Sequence, residues 1–230
     1  MDMTTRQGGI FEVIDIDKAT IYTSSIEANE FNVSEESAVI EGRLNAPYVT
    51  NSGSLEVTST LETHTLKNKR DAILRISDHV VGQSIDNAGM LELGGHLKAE
   101  HLKSTGRLIS EGVIEGETVI LEGPVKVREI RAEHIELTLT ADCVADYLTA
   151  NQITINAKRE NLLFKDKDHS LKVNEIDGGR VYIENVIAEL VRGDEVVIGP
   201  NCTVKVVEYT ENYTLDDQSD VLELGKITRD

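Results

Sequence analysis

The side chains able to do chemistry are few and scattered. His79 and His96 stand 17 residues apart, and Glu100, Glu117 and Glu133 recur at similar spacing. Two imidazoles can share a Zn²⁺, but a zinc site takes three or four ligands. The positions related to them by the same spacing, Thr60, Val113 and Glu129, do not complete one, so the histidines read as a solvated surface pair. The three carboxylates could hold Ca²⁺ between them. Lys98, Glu115 and Arg131 alternate in sign beside them, which favours a solvated face. Cys143 and Cys202 lie far apart without a CxxC spacing and read as buried free thiols of a reducing compartment. The Gly-Gly pairs at 8–9, 94–95 and 178–179 lack the strand–helix context of a phosphate loop. No Ser/His/Asp or paired-acid arrangement stands out. The expectation is a protein with no catalytic residue, no metal and no cofactor.

Composition narrows the class further. The chain has 230 residues, a formal charge of −18, three Phe, six Tyr and no Trp. A surplus of carboxylates argues against nucleic-acid backbones, which need clustered Lys and Arg, and disfavours anionic membranes. No apolar run reaches the roughly 18 residues of a membrane span. Met1–Asp17 has no apolar core of a signal peptide. The scarcity of large rings fits a thin aliphatic interior better than a wide globular core.

The elements that would position these side chains follow from a repeat. An aliphatic residue, a small residue two further on and an aliphatic or aromatic one three after that recur eight times. They read Ile26-x-Ala28-x-x-Phe31, Leu44-x-Ala46-x-x-Val49, Leu61-x-Thr63-x-x-Leu66 and Val80-x-Gly82-x-x-Ile85. The series continues with Leu97-x-Ala99-x-x-Leu102, Ile114-x-Gly116-x-x-Val119, Ile130-x-Ala132-x-x-Ile135 and Leu148-x-Ala150-x-x-Ile153. Four residues before the starts stand Tyr22, Ile40, Val57, Ile76, Leu93, Ser110 and Val144, with Val127 three before its own. The local period of two marks strands with one buried face, and the three-residue step marks a corner. Short strands and corners repeating every 17 or 18 residues describe a coil whose turns stack by parallel hydrogen bonding, about 4.8 Å apart. The small column then lines a narrow interior. No apolar spacing of i, i+3, i+4, i+7 is sustained for a helix.

The pattern lapses after Asn156, and residues 157–180 read as an inserted loop or a decorated coil. Leu162, Leu163 and Phe164 form an apolar cluster within it, either folded back on the core or set to meet a partner or membrane. Register returns as Val186-x-Ala188-x-x-Val191, Val204-x-Val206-x-x-Tyr209 and Leu222-x-Leu224-x-x-Ile227. The expectation is an all-β parallel β-helix, one solenoid domain over 1–230, with about ten or eleven coils.

The repeats, and above all Gly178-Gly179-Arg180-Val181-Tyr182-Ile183-Glu184-Asn185 running on to Val191–Cys202, resemble the bactofilins, bacterial polymer-forming cytoskeletal proteins. The resemblance spans roughly residues 20–228. It implies a right-handed β-helix that assembles end to end into a homopolymer without nucleotide, as a cytoplasmic scaffold with cell-envelope or cell-shape proteins as partners. Met1–Gly9 carries no apolar membrane-targeting tail, which leaves membrane association open. Ile198-Gly-Pro-Asn-Cys-Thr-Val204 also matches one hexad of the hexapeptide-repeat acyltransferases, left-handed β-solenoids acting through a His, for which His169 is the candidate. Strict six-residue periodicity is absent through most of 20–155, so that reading ranks second.

A coil leaves unpaired strand edges and an apolar cross-section on its terminal turns. Those turns carry Ile10, Phe11, Val13, Ile14 and Ile16 at one terminus and Val221, Leu222, Leu224 and Ile227 at the other. Phe11, Val13, Ile14, Leu222, Leu224 and Ile227 are therefore the candidate polymer interface.

Overall fold

The computed structural model describes residues 3–158 and 169–228, and among them every regular element is a strand. The chain divides into two compact units, Met1–Gly116 and Glu117–Asp230. Each is a parallel β-solenoid, and together they hold about 13 turns.

The first unit contains strands of eight residues, such as Ile26–Val33 and Val80–Asn87, and between these two a run of strands of two to four. Ile26–Val33 shows why the chain turns where it does. Ile26, Ala28, Phe31 and Val33 are buried, whereas Asn29 and Glu30 both face out, so the three-residue step is a corner. Successive turns lie in register: Leu97 stands on Val80, Ala99 on Gly82 and Leu102 on Ile85. The small column is tight. A Cβ on Gly82 would lie 3.3 Å from the Thr63 carbonyl oxygen and 3.6 Å from Ile85 Cδ1.

One column departs from the aliphatic rule. Val33 is followed in register by Asn51, Asn68, Asn87 and Ser104. All four polar side chains are buried. Asn51 Nδ2 donates to Asn68 Oδ1 at 2.9 Å, Asn68 to Asn87 at 2.7 Å, and Asn87 to Ser104 Oγ at 2.9 Å. The second N–H of each amide reaches the carbonyl of Ile73, Met90 or Arg107 on the next turn. A fully bonded polar column adds directional contacts that aliphatic columns lack, and these fix axial register.

The second unit uses longer strands, among them Cys143–Ala157, Leu171–Ile183, Val186–Ile198 and Thr203–Leu215. Here the sequence register needs correcting. Val186 pairs with Leu171, and Leu171 with Cys143, five positions before the repeat start Leu148. The continuations of Leu148-x-Ala150-x-x-Ile153 are Ile176-x-Gly178-x-x-Val181 and Val191-x-Gly193-x-x-Val196. The aliphatic–small–aliphatic spacing occurs twice per turn in this unit, so the motif alone could not choose its phase. Val144, placed inward by the repeat, points out and is 43% exposed; its neighbour Ala145 is buried instead. Leu171–Ile183 is a regular strand, so this part of the expected 157–180 insertion belongs to the ladder. Together with the first turn around Gly9, this strand accounts for the turns beyond the expected ten or eleven.

Two turns in this unit are short: Leu171 to Val186 is 15 residues and Ile187 to Thr203 is 16. Asn185 and Asn201 close them with φ of 55° and 59°, a conformation Asn tolerates better than most residues. Gly193 stands on Gly178 in the narrow column, where a Cβ would come within 2.8 Å of Val196 Cγ2.

Candidate assembly surfaces

The first turn begins with Thr4–Arg6 paired to Thr20–Tyr22 and Gly9–Ile16 paired to Ile26–Val33. Among the described residues these strands pair on one side only. Register sorts their apolar side chains. Phe11 stands on Ala28, Ile14 on Phe31 and Ile16 on Val33, all in inward columns. Ile10 and Val13 stand on Glu27 and Glu30, on the outer side. Ile14 is therefore buried, while Phe11, a large ring where later turns carry Ala or Gly, is 36% exposed. Its ring meets Tyr22 edge-on at 6.2 Å. Arg6 continues the inward column of Tyr22, an exposed charge at the rim.

At the other terminus Asp220–Lys226 lies on Thr203–Tyr209. Val221 stands on Val204 and Leu224 on Val207, so Leu224 is an inward residue left 53% exposed. Leu222 is 74% exposed and neighbours Lys205 on the outer side. Ile227 is half-buried and donates its N–H to Tyr209 O at 2.9 Å. Two further members were invisible in the repeat. Tyr213 stands on Val196 and Leu215 on Ile198, beyond the reach of the last strand, and Leu215 is 42% exposed. A register shift after Gly193 adds a residue between Tyr209 and Asn212, which broke the spacing. Tyr209 stacks on Tyr213 at 5.6 Å, and Lys226 Nζ lies 5.8 Å from the Tyr209 ring centre. Burial pushes the Tyr213 phenol above its ordinary value, with a smaller contribution from Tyr209.

The remaining candidates fall into place around the columns. His79 and His96 stack at 5.2 Å between ring centres. Nδ1 of His79 accepts the His96 amide at 3.1 Å, and Nδ1 of His96 accepts the Val113 amide at 3.0 Å. Both rings must carry their proton on Nε2, so neither offers Nε2 to a metal without turning Nδ1–H against a backbone donor. Glu133 accepts a hydrogen bond from Asn151, and Glu129 one from Arg131 at 2.6 Å. His169 Nδ1 lies 3.6 Å from Asp142 Oδ1, and its carbonyl accepts Asn185 Nδ2, which ties it to a corner. The segment Ile198–Val204 forms the next corner, with Ile198, Cys202 and Val204 buried. Burial raises both Cys143 and Cys202 thiols, and both are free. Leu162, Leu163 and Phe164 lie outside the described residues. Among the described residues no three His, Cys, Asp or Glu side chains gather as a metal site.

Two polar features escaped the sequence. Arg192 lies within 2.7 Å of Glu208, 3.5 Å of Asp177 and 3.6 Å of Glu175, a network across adjacent turns. Glu184 is 3% exposed and accepts the Tyr182 hydroxyl and, at 3.1 Å, the Ala157 amide, at the end of the strand Cys143–Ala157.

Among the described residues no helix is long and apolar enough to cross a membrane. No family model matches the chain, and no solved structure matches it. Over 74 residues it is 40% identical to the uncharacterized protein YhbF of Bacillus subtilis (strain 168), 32% of each chain. Over 113 residues, 48% of this chain, it is 30% identical to 41% of the uncharacterized protein YhbE of the same organism. The matched segments thus cover less than half of either relative.

Proposed function

We propose that this protein is a non-enzymatic scaffold subunit that joins copies of itself end to end through its terminal turns, without nucleotide, as a cytoplasmic polymer of the bactofilin type. The observation that carries the reading is the state of those turns. Phe11 and Leu224 occupy inward columns yet are 36% and 53% exposed, in strands that among the described residues pair on one side only. Unpaired edges with apolar cross-sections are templates for further pairing. Continuing the ladder would cover both residues and satisfy the edge amides and carbonyls together. Arg6 and Lys226 at the rims would restrict which edges fit. The fold itself, a parallel β-solenoid, is consistent with a self-stacking scaffold. Negative-stain microscopy of the purified protein without ATP or GTP tests the reading. Filaments support it; discrete trimers would favour an acyltransferase-like assembly instead.

A further inference from the structure

We infer that the stacked pair His79–His96 is an acid-sensitive catch holding one corner of the first unit closed. At this corner imidazoles do the work of the backbone ladder. His79 Nδ1 accepts the amide of His96, and His96 Nδ1 accepts the amide of Val113, so two successive turn-to-turn bonds depend on unprotonated Nδ1 atoms. The same position is served earlier by a hydroxyl, Ser25 Oγ accepting the Arg43 amide at 3.1 Å, which does not titrate. Protonating either ring turns its acceptor into a donor facing a backbone donor and removes the only role Nδ1 can play there. Protonating both places two cations in rings 5.2 Å apart. The charged group facing the pair is Asp78, whose Oδ1 lies 3.1 Å from His79 Nε2. The preceding turn contributes Thr60 to the column and the following one Val113, neither of which titrates. The corner is close-packed: a Cβ on Gly95 would sit 2.8 Å from His79 Nδ1, and one on Gly112 2.1 Å from the Gly95 carbonyl oxygen. A ring that turns away leaves the His96 or Val113 amide without its acceptor, while Gly95 N–H to Asp78 O at 3.0 Å and Val80 N–H to His96 O at 2.8 Å still join the turns beside it.

Two measurements on the full chain test this. Long-range ¹⁵N–¹H spectra of the imidazoles should show the Nε2–H tautomer at both His79 and His96 near neutral pH. Amide exchange, expressed as protection relative to intrinsic rates, should fall about tenfold at His96 and Val113 between about pH 7.5 and about pH 5.5, the worth of one net hydrogen bond. In the His79→Asn, His96→Asn double variant, where an amide oxygen takes the place of Nδ1, protection at those amides should stay level. The amides of Leu66 and Leu74 serve as references. An Nδ1–H tautomer, steady protection in the parent, or an equal fall in the double variant would each overturn the inference.

Discussion

Asn68→Ala puts the buried amide column to a quantitative test. Asn68 is 2% exposed and makes three hydrogen bonds: it accepts from Asn51 at 2.9 Å and donates to Asn87 at 2.7 Å and to the Met90 carbonyl at 2.9 Å. Truncation strands one N–H of Asn51 and the Oδ1 of Asn87, both buried, and the part-buried Met90 carbonyl. At about 1 kcal/mol for each unsatisfied group, the loss is about 3 kcal/mol. Asn32→Ala is the matched control, because its bond to Asp15 Oδ1 at 3.0 Å is exposed; that loss should stay within about 0.5 kcal/mol. Urea unfolding followed by far-ultraviolet circular dichroism reads both, provided the slope of the transition is unchanged. If Asn68→Ala costs no more than Asn32→Ala, the column does not hold the turns together and the reasoning fails.

Three further outcomes are expected. Ala99→Leu should lower stability by about 1–3 kcal/mol by overpacking the narrow column, whereas Lys98→Leu, on the outer side, should be nearly neutral; equal melting temperatures would show that the register is wrong. Because burial raises the Cys143 and Cys202 thiols above the ordinary 9.0, the native state favours the protonated form, and its advantage is complete below that value and lost as pH rises through the raised one. The parent should therefore lose more stability above about pH 9 than a Cys143→Ala, Cys202→Ala variant, and its native thiols should resist iodoacetamide until the chain unfolds. Titration calorimetry with Mg-ATP or Mg-GTP should give no heat of binding, and a micromolar affinity would contradict assembly without nucleotide.

The solenoid was legible because its narrow interior admits only small residues at one position per turn, and Ala28, Ala46, Gly82 and Ala99 recur there. Phase was less legible. Cys143-x-Ala145-x-x-Leu148 and Leu148-x-Ala150-x-x-Ile153 obey the same rule within one turn, so Val186 could be aligned with either. The Asn51–Asn68–Asn87 column carried a usable signal, an Asn seven residues after each of the starts Leu44, Leu61 and Val80. It was missed because a buried Asn looks like a surface residue until its partner one turn away is known. Phe11 and Leu224 could be found from their columns. Val13 and Leu222 lie on the outer side, because the three-residue step of the corner puts Phe11 with Ile14 and Val221 with Leu224 inward; the repeat read from Leu222 is one residue out of phase. Leu215 and Tyr213 were hidden by the extra residue after Tyr209. Arg192 and its three carboxylates are separated by 15 to 17 residues and meet only once the turns are stacked.

Phe11→Arg and Leu224→Arg test most directly whether the terminal turns carry assembly, as proposed. Both side chains reach water in the single subunit, so the β-sheet circular dichroism of each variant should match the parent. At a covered joint an unpaired guanidinium would cost several kcal/mol. Sedimentation velocity of parent and variants at equal concentration, paired with negative-stain images, gives the decisive comparison. The parent should sediment as long polymers and the folded variants as short oligomers or single subunits. Variants that form filaments like the parent would place the polymer contact elsewhere, on the outer faces of the coil.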